Sequence, residues 1–183
     1  MIEQIKKRRS HYPKTMTGEI IPDDVIWKAL EAAQTAPTHK TTQPWQFIVF
    51  DKKNISKLTD KQKEIFQLKN MDNKPVPPSF GIVENNVSHI VVIVCNITGL
   101  VPEVEEICAT AAAVQNFALA LSMEGFGGYW STGNGIFDPK MHELLELTNS
   151  QKLLGYFYCG VHDGSELAPR KRNPISENVD WIK

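Results

Sequence analysis

His89-Ile90-Val91-Val92-Ile93-Val94-Cys95-Asn96 is the stretch whose reading decides the fold. Along a strand, successive side chains point to opposite faces of the sheet, so apolar residues at every position from Ile90 to Cys95 mean that both faces are buried. A sheet covered by helices on each side provides that environment. Working outward, Gln46-Phe47-Ile48-Val49-Phe50 is a second short apolar run of strand type. Gly128 to Thr132 and Lys152 to Val161 read as two further strands.

Helical patterns separate these strands. Ile2 to Arg9 forms a short opening helix. Pro22-Asp23-Asp24 starts a longer one, because proline suits the first turn and acids suit its positive end. Val25, Ile26, Ala29, Leu30 and Ala33 then recur on one face up to Pro37. Asn54 caps a helix carrying Ile55, Leu58, Ile65, Phe66 and Leu68. Val104 to Glu124 is the longest helix, with the small-residue run Ala109-Thr110-Ala111-Ala112-Ala113 near its start. That run suits close helix packing, within the chain or against a second subunit. Asp138-Pro139 starts a short helix through Leu147.

Two stretches lack periodicity. Met71 to Ser88 contains Pro75-Val76-Pro77-Pro78, which forbids regular helix or central strand, and reads as a lid or binding loop that shapes a pocket. His162 to Lys183 reads as an arm that crosses the surface and docks through Trp181. The expected architecture is α/β (α+β): one domain over residues 1–183, a mixed central sheet with helices on both faces, and an extended C-terminal arm.

Composition narrows the function classes. The chain has 183 residues and a net charge of −1, enough length for a sizeable core and no basic excess of the kind a nucleic-acid footprint needs. The opening Met1-Ile2-Glu3-Gln4-Ile5-Lys6 has no signal-peptide core, and no apolar run is read as reaching the roughly 20 residues of a membrane span. A cytoplasmic protein is expected. The three cysteines, Cys95, Cys108 and Cys159, form no C-x-x-C pair and read as structural. The five histidines show no metal-binding spacing, so no metal is expected.

Two segments carry the chemistry. Arg8-Arg9-Ser10 is a compact cationic cluster beside a hydroxyl, suited to a phosphate because guanidinium forks bond bidentately to its oxygens. Ala36-Pro37-Thr38-His39-Lys40-Thr41-Thr42-Gln43-Pro44-Trp45 is a polar, proline-bounded loop between a predicted helix and a predicted buried strand. Such loops carry polar groups to sites that a rigid scaffold positions. Together they read as two walls of an anionic-cofactor site. Gly125 to Gly135 lacks G-x-G-x-x-G between a strand and a helix, so a Rossmann dinucleotide site is unsupported.

These segments, with Gly125-Phe126-Gly127-Gly128-Tyr129-Trp130-Ser131-Thr132-Gly133 and Leu154-Gly155-Tyr156-Phe157-Tyr158-Cys159-Gly160 in that order, resemble the FMN-dependent nitroreductase family. Its short single-domain bacterial branch matches from Ile5 to Trp181. The resemblance implies FMN, with NADH or NADPH as co-substrate and a nitroaromatic or quinone-like acceptor reduced by a ping-pong mechanism through flavin N5. It implies a homodimer with FMN at the subunit interface and the long helix in the dimer core.

By that resemblance Arg8, Arg9 and Ser10 hold the phosphate and ribityl chain, and Arg170 and Arg172 on the C-terminal arm close over the phosphate. Thr35, Pro37, Thr38 and His39 lie against the isoalloxazine, and Trp130, Ser131 and Thr132 face the ring from a strand end. The flavin carries the redox chemistry, so no catalytic side chain is expected. The family's basic residue two positions after the serine is Tyr12 here, which leaves Lys14 or Lys40 for the pyrimidine edge. Alternatives left open are another flavin chemistry, such as dehalogenation or ring dehydrogenation, a non-catalytic FMN-binding or storage protein, and a phosphate-binding module without flavin.

Overall fold

The computed structural model describes residues 2–70, 74–165, 168 and 171–182. Its elements in chain order are α1 (Ile2–Lys7), α2 (Asp23–Ala33), β1 (Trp45–Phe50), α3 (Ile55–Lys69), α4 (Ser79–Asn86), β2 (His89–Asn96), α5 (Glu103–Met123), β3 (Gly127–Ser131), α6 (Pro139–Leu144) and β4 (Gln151–Gly160). The four strands form one sheet in the order β1-β2-β4-β3. Every strand pair is antiparallel, and the mixed character expected of the sheet is confined to one isolated parallel bridge, Ser10 to Gly128.

The sheet separates two cores, as the both-face burial of β2 requires. Val91 and Ile93 of β2, Phe157 and Cys159 of β4, and Trp45 of β1 pack with α2 and α5 residues such as Ile26, Ala29, Ala113, Phe117 and Leu121. Ile90, Val92 and Val94 point the other way with Tyr156 and Tyr158, onto Ile55, Leu58 and Ile65 of α3 and Met141 of α6. Odd and even positions of one strand thus serve different layers. Gly128 has no room for a side chain, because a Cβ there would stand 2.1 Å from the Phe157 ring.

Four expectations are corrected. Ser79–Asn86, read as loop, is helical. It starts after Pro78, buries only Phe80, and is tied down by Glu84, which accepts hydrogen bonds from Thr59 and from Lys63 (2.5 Å) on α3. Its local pattern is weak because its support is tertiary. The Asn54 side chain does not cap α3; it donates instead to Asp51 (2.6 Å). Trp181 does not dock on its own chain and is 79% exposed.

Finally, α5 is 21 residues long with a mean hydropathy of 1.2 over its most apolar window, so by length and composition it could cross a bilayer. Here it is a central packing helix, with acids at Glu103, Glu105 and Glu106 and a buried face from Ala109 to Leu121.

Candidate functional site

Strand β3 organises the first half of the site. The chain leaving α1 runs beside it: Ser10 bridges Gly128, and the His11 amide donates to the Gly128 carbonyl at 3.0 Å. Arg8 and Arg9 are therefore half-buried at a fixed place, and the Arg9 guanidinium donates to the Ala168 carbonyl at 2.5 Å. The His11 ring stacks on His162 at 4.1 Å. Burial first, then the neighbouring His162 and Arg9, holds its pKa below the usual histidine value. Burial disfavours the charged ring, and the positive charge of the neighbouring Arg9 and Arg8 adds to that effect while Asp163 opposes it.

On the α3–α4 side of β3 lies a cleft of about 310 Å³ lined by Tyr12, Lys14, Gln62, Phe80, Tyr129, Ser131 and Tyr158, among others. Tyr12 and Tyr129 rings meet at 4.5 Å, and Tyr129 and Tyr158 stack at 6.3 Å. Burial pushes the Tyr158 phenol upward and the Tyr156 phenol up to about 12, so both stay neutral donors. Tyr156 Oη and the buried Gln62 amide both donate to the Asn134 carbonyl, at 3.4 Å each. Lys14 is the one charged side chain lining this cleft among the described residues.

The second half is built on α5. Pro37, Thr38 and His39 line a separate groove of about 370 Å³ with Glu105, Cys108, Ala109 and Ala112. The loop is bent through left-handed backbone at three non-glycine residues, Lys40 (φ 49°), Thr41 (φ 55°) and Gln43 (φ 43°). Such conformations persist only where surrounding bonds over-determine them, and they cluster at functional sites. Here Thr38 Oγ1 meets Thr42 Oγ1 (2.9 Å) and accepts from the Gln43 amide (3.2 Å), and Lys40 Nζ donates to the Leu100 carbonyl (3.1 Å). His39 Nδ1 lies 2.5 Å from Glu105 Oε2. Thr35 accepts a bond from Asn116 of α5 (3.3 Å).

The sequence-predicted residues thus divide between two places in one chain. Arg8, Arg9 and Ser10 meet β3, while Thr35, Pro37, Thr38 and His39 meet α5. Within β3 the alternation splits the predicted trio: Ser131 lines the cleft, whereas Trp130 points to the other face, 38% exposed, with Nε1 donating to the Leu154 carbonyl at 3.3 Å. Thr132 lies exposed just past the strand. Arg172 is exposed and, among the described residues, donates to the adjacent Lys171 carbonyl at 3.0 Å; Arg170 lies outside the described residues. Sequence reasoning missed Tyr129, Gln62 and Glu105. Strand parity held the clue for Tyr129, since it shares a face with Ser131; Gln62 and Glu105 reach the site only through the tertiary fold.

Burial raises the pKa values of the Cys95 and Cys159 thiols, as structural cysteines require, but Cys108 is exposed, against the expectation for all three. No cluster of metal-ligating side chains occurs among the described residues. A further hollow of about 450 Å³ lies between α2 and β1 and is lined by none of the predicted site residues.

Comparison with known proteins assigns the class. The sequence profile described as the nitroreductase family matches residues 5–161, and the chain belongs to that family. It is similar to the Bacillus subtilis (strain 168) protein named "Putative NAD(P)H nitroreductase YfhC", at 25% identity over 94% of this chain and 89% of that one. Among solved structures, the nitroreductase-like family protein from Bacillus cereus aligns with TM-score 0.83 and 26% identity, covering 99% of this chain and 95% of that one. A nitroreductase with bound FMN from Bacteroides fragilis NCTC 9343 shares the fold, with TM-score 0.78 and 19% identity over 100% of this chain and 98% of that one.

Proposed function

We propose that this chain is an FMN-dependent NAD(P)H oxidoreductase of the cytoplasm, a homodimer acting on nitroaromatic or quinone-like acceptors. The observation that carries the reading is the pinning of Arg8-Arg9-Ser10 to β3 by the Ser10–Gly128 bridge, beside an aromatic cleft that holds one cation. That donor set fits FMN: guanidinium and hydroxyl groups for a phosphate, and flat tyrosine faces with a neutral amide for an aromatic ring system. Bound FMN would supply hydride acceptance and donation at N5.

The chain's own residues do the rest. Arg8, Arg9 and Ser10 hold the phosphate, with Arg170 and Arg172 closing from the arm. Lys14, the charged side chain that lines the cleft among the described residues, is the cation this chain offers its own pyrimidine edge, and Lys40 on the His39 loop is the one it offers a partner's. Tyr129 and Ser131 bound the cleft, and the neutral phenols of Tyr156 and Tyr158 back it without adding charge. The His39 loop and the Arg8 cluster occupy separate places in one chain, which supports a dimer in which each copy lends its His39 loop to the other's flavin. Closed two-fold dimers are the commonest assembly. One cleft then serves the nicotinamide and the acceptor in turn, and double-reciprocal plots are expected to be parallel.

The test is direct. The purified protein is expected to be yellow and to release FMN, not FAD, on denaturation. Arg8→Ala is expected to weaken FMN binding about tenfold or more, the scale of a hydrogen bond to a charged group. Steady-state NAD(P)H oxidation with an acceptor separates an enzyme from a storage protein. A colourless protein that takes up no FMN at micromolar concentration would end the reading.

A further inference from the structure

We infer that Glu105 is the positioning residue for His39, holding Nδ1 so that the Nε2 edge is left for the groove and the cofactor; the inference rests on the flavin reading above. The first turn of α5 carries three acids, and the structure gives each a different partner. Glu103 pairs with Lys152 at 2.5 Å. Glu106 is buried and accepts from the Thr98 amide (3.0 Å) and hydroxyl (2.6 Å). Glu105 alone reaches the loop, spanning 66 residues of sequence to His39 Nδ1 at 2.5 Å.

Stability does not account for this contact. Both side chains are about half exposed, at 54% for His39 and 42% for Glu105, and exposed pairs contribute little to folding. The strained loop is already held by the Thr38–Thr42 and Gln43–Thr38 bonds and by Lys40 on Leu100. What the carboxylate adds is orientation. A carboxylate accepts only, so Nδ1 must carry the proton, and in the neutral ring Nε2 is then an acceptor. The ring's tautomer and its rotation are set by one bond, in the manner of an oriented histidine at a reactive centre.

The experiment uses the full-length holoprotein with ¹⁵N-labelled histidine. Long-range ¹H–¹⁵N correlation reads the His39 tautomer, and flavin fluorescence quenching reads FMN affinity. In the wild type the neutral His39 ring is expected to carry its proton on Nδ1. Glu105→Ala is expected to move it predominantly to Nε2 and to weaken FMN about tenfold. Glu105→Gln, whose amide oxygen still accepts, restores the Nδ1–H form, and Glu103→Ala changes neither readout.

Glu105 acts through His39, so the double variant Glu105→Ala/His39→Ala is expected to bind FMN no more weakly than His39→Ala alone. An unchanged tautomer in Glu105→Ala, or fully additive losses in the double variant, overturns the positioning role while leaving the flavin reading intact. A wild type that binds no FMN overturns the flavin reading itself, and the cofactor half of this inference with it.

Discussion

His11 shows how a residue without a readable motif acquires a role from its surroundings. Its Cβ lies 2.9 Å from where a side chain at Gly127 would begin, so glycine there lets the ring settle between β3 and His162. Burial, His162 and Arg9 depress its pKa from the ordinary 6.5, and Asp163 opposes them only in part. The unfolded chain therefore binds a proton at a higher pH than the folded one. The stabilisation is present in full above about pH 6.5 and is lost as pH falls through the folded value. Chemical denaturation is expected to show a lower midpoint at about pH 5.5 than at neutral pH, with a smaller drop in His11→Gln. An equal drop in variant and wild type would assign the acid sensitivity to other groups. Legibility at this scale was uneven: residue type alone pointed to Arg8 and Ser10 for the proposed phosphate contact, whereas His11 needed a neighbour to give it meaning.

Among the elements, α5 has the most to hold together. Its first turn is tied to the preceding loop by Glu106, a carboxylate 1% exposed whose oxygens serve the Thr98 amide and hydroxyl. Glu106→Ala is expected to cost about 3 kcal/mol, since hydrogen bonds to a charged group are lost and a buried space is left behind. Glu106→Gln is expected to cost less, because one acceptor oxygen remains. Urea unfolding of the two variants checks both; equal stability of Glu106→Ala and wild type would remove this residue from the helix's support. The position and length of α5 were legible, as Val104 to Glu124, because helix signals are local, but its apolar content over 21 residues was underestimated. Helix α4 was not, since eight residues with one buried side chain make no pattern, and its hold comes from Glu84 bonding α3.

For the whole molecule the telling feature is what a single chain leaves uncovered. Trp181 and Ile182 are 79% and 94% exposed, and Ile175 and Val179 lie exposed beside them on the arm. Four large apolar side chains exposed within eight residues are the kind of surface that associating proteins cover, and a second copy of the chain is the occupant that the proposed dimer supplies. Removing residues 174–183 is expected to convert a dimer to a monomer in sedimentation and to weaken FMN retention. A truncated protein that remains dimeric would take the arm out of the interface, and a full-length monomer with tightly bound FMN would refute the shared site.

The sequence by itself determined the layers and the family. Unbroken apolar character in Ile90–Cys95 required a sheet buried on both faces, and four motifs in order carried the resemblance that the profile match over residues 5–161 bears out. Strand and helix periods are local, so they survive in one dimension. Only the tertiary structure decided that the face of β3 carrying Tyr129 and Ser131, not the one carrying Trp130, lines the cleft, that the His39 loop and the Arg8 cluster lie apart in one chain, and that Glu105 meets His39 across 66 residues. Those facts depend on contacts between distant segments, and the packing of the sheet against α5, not any spacing along the chain, brings such segments together.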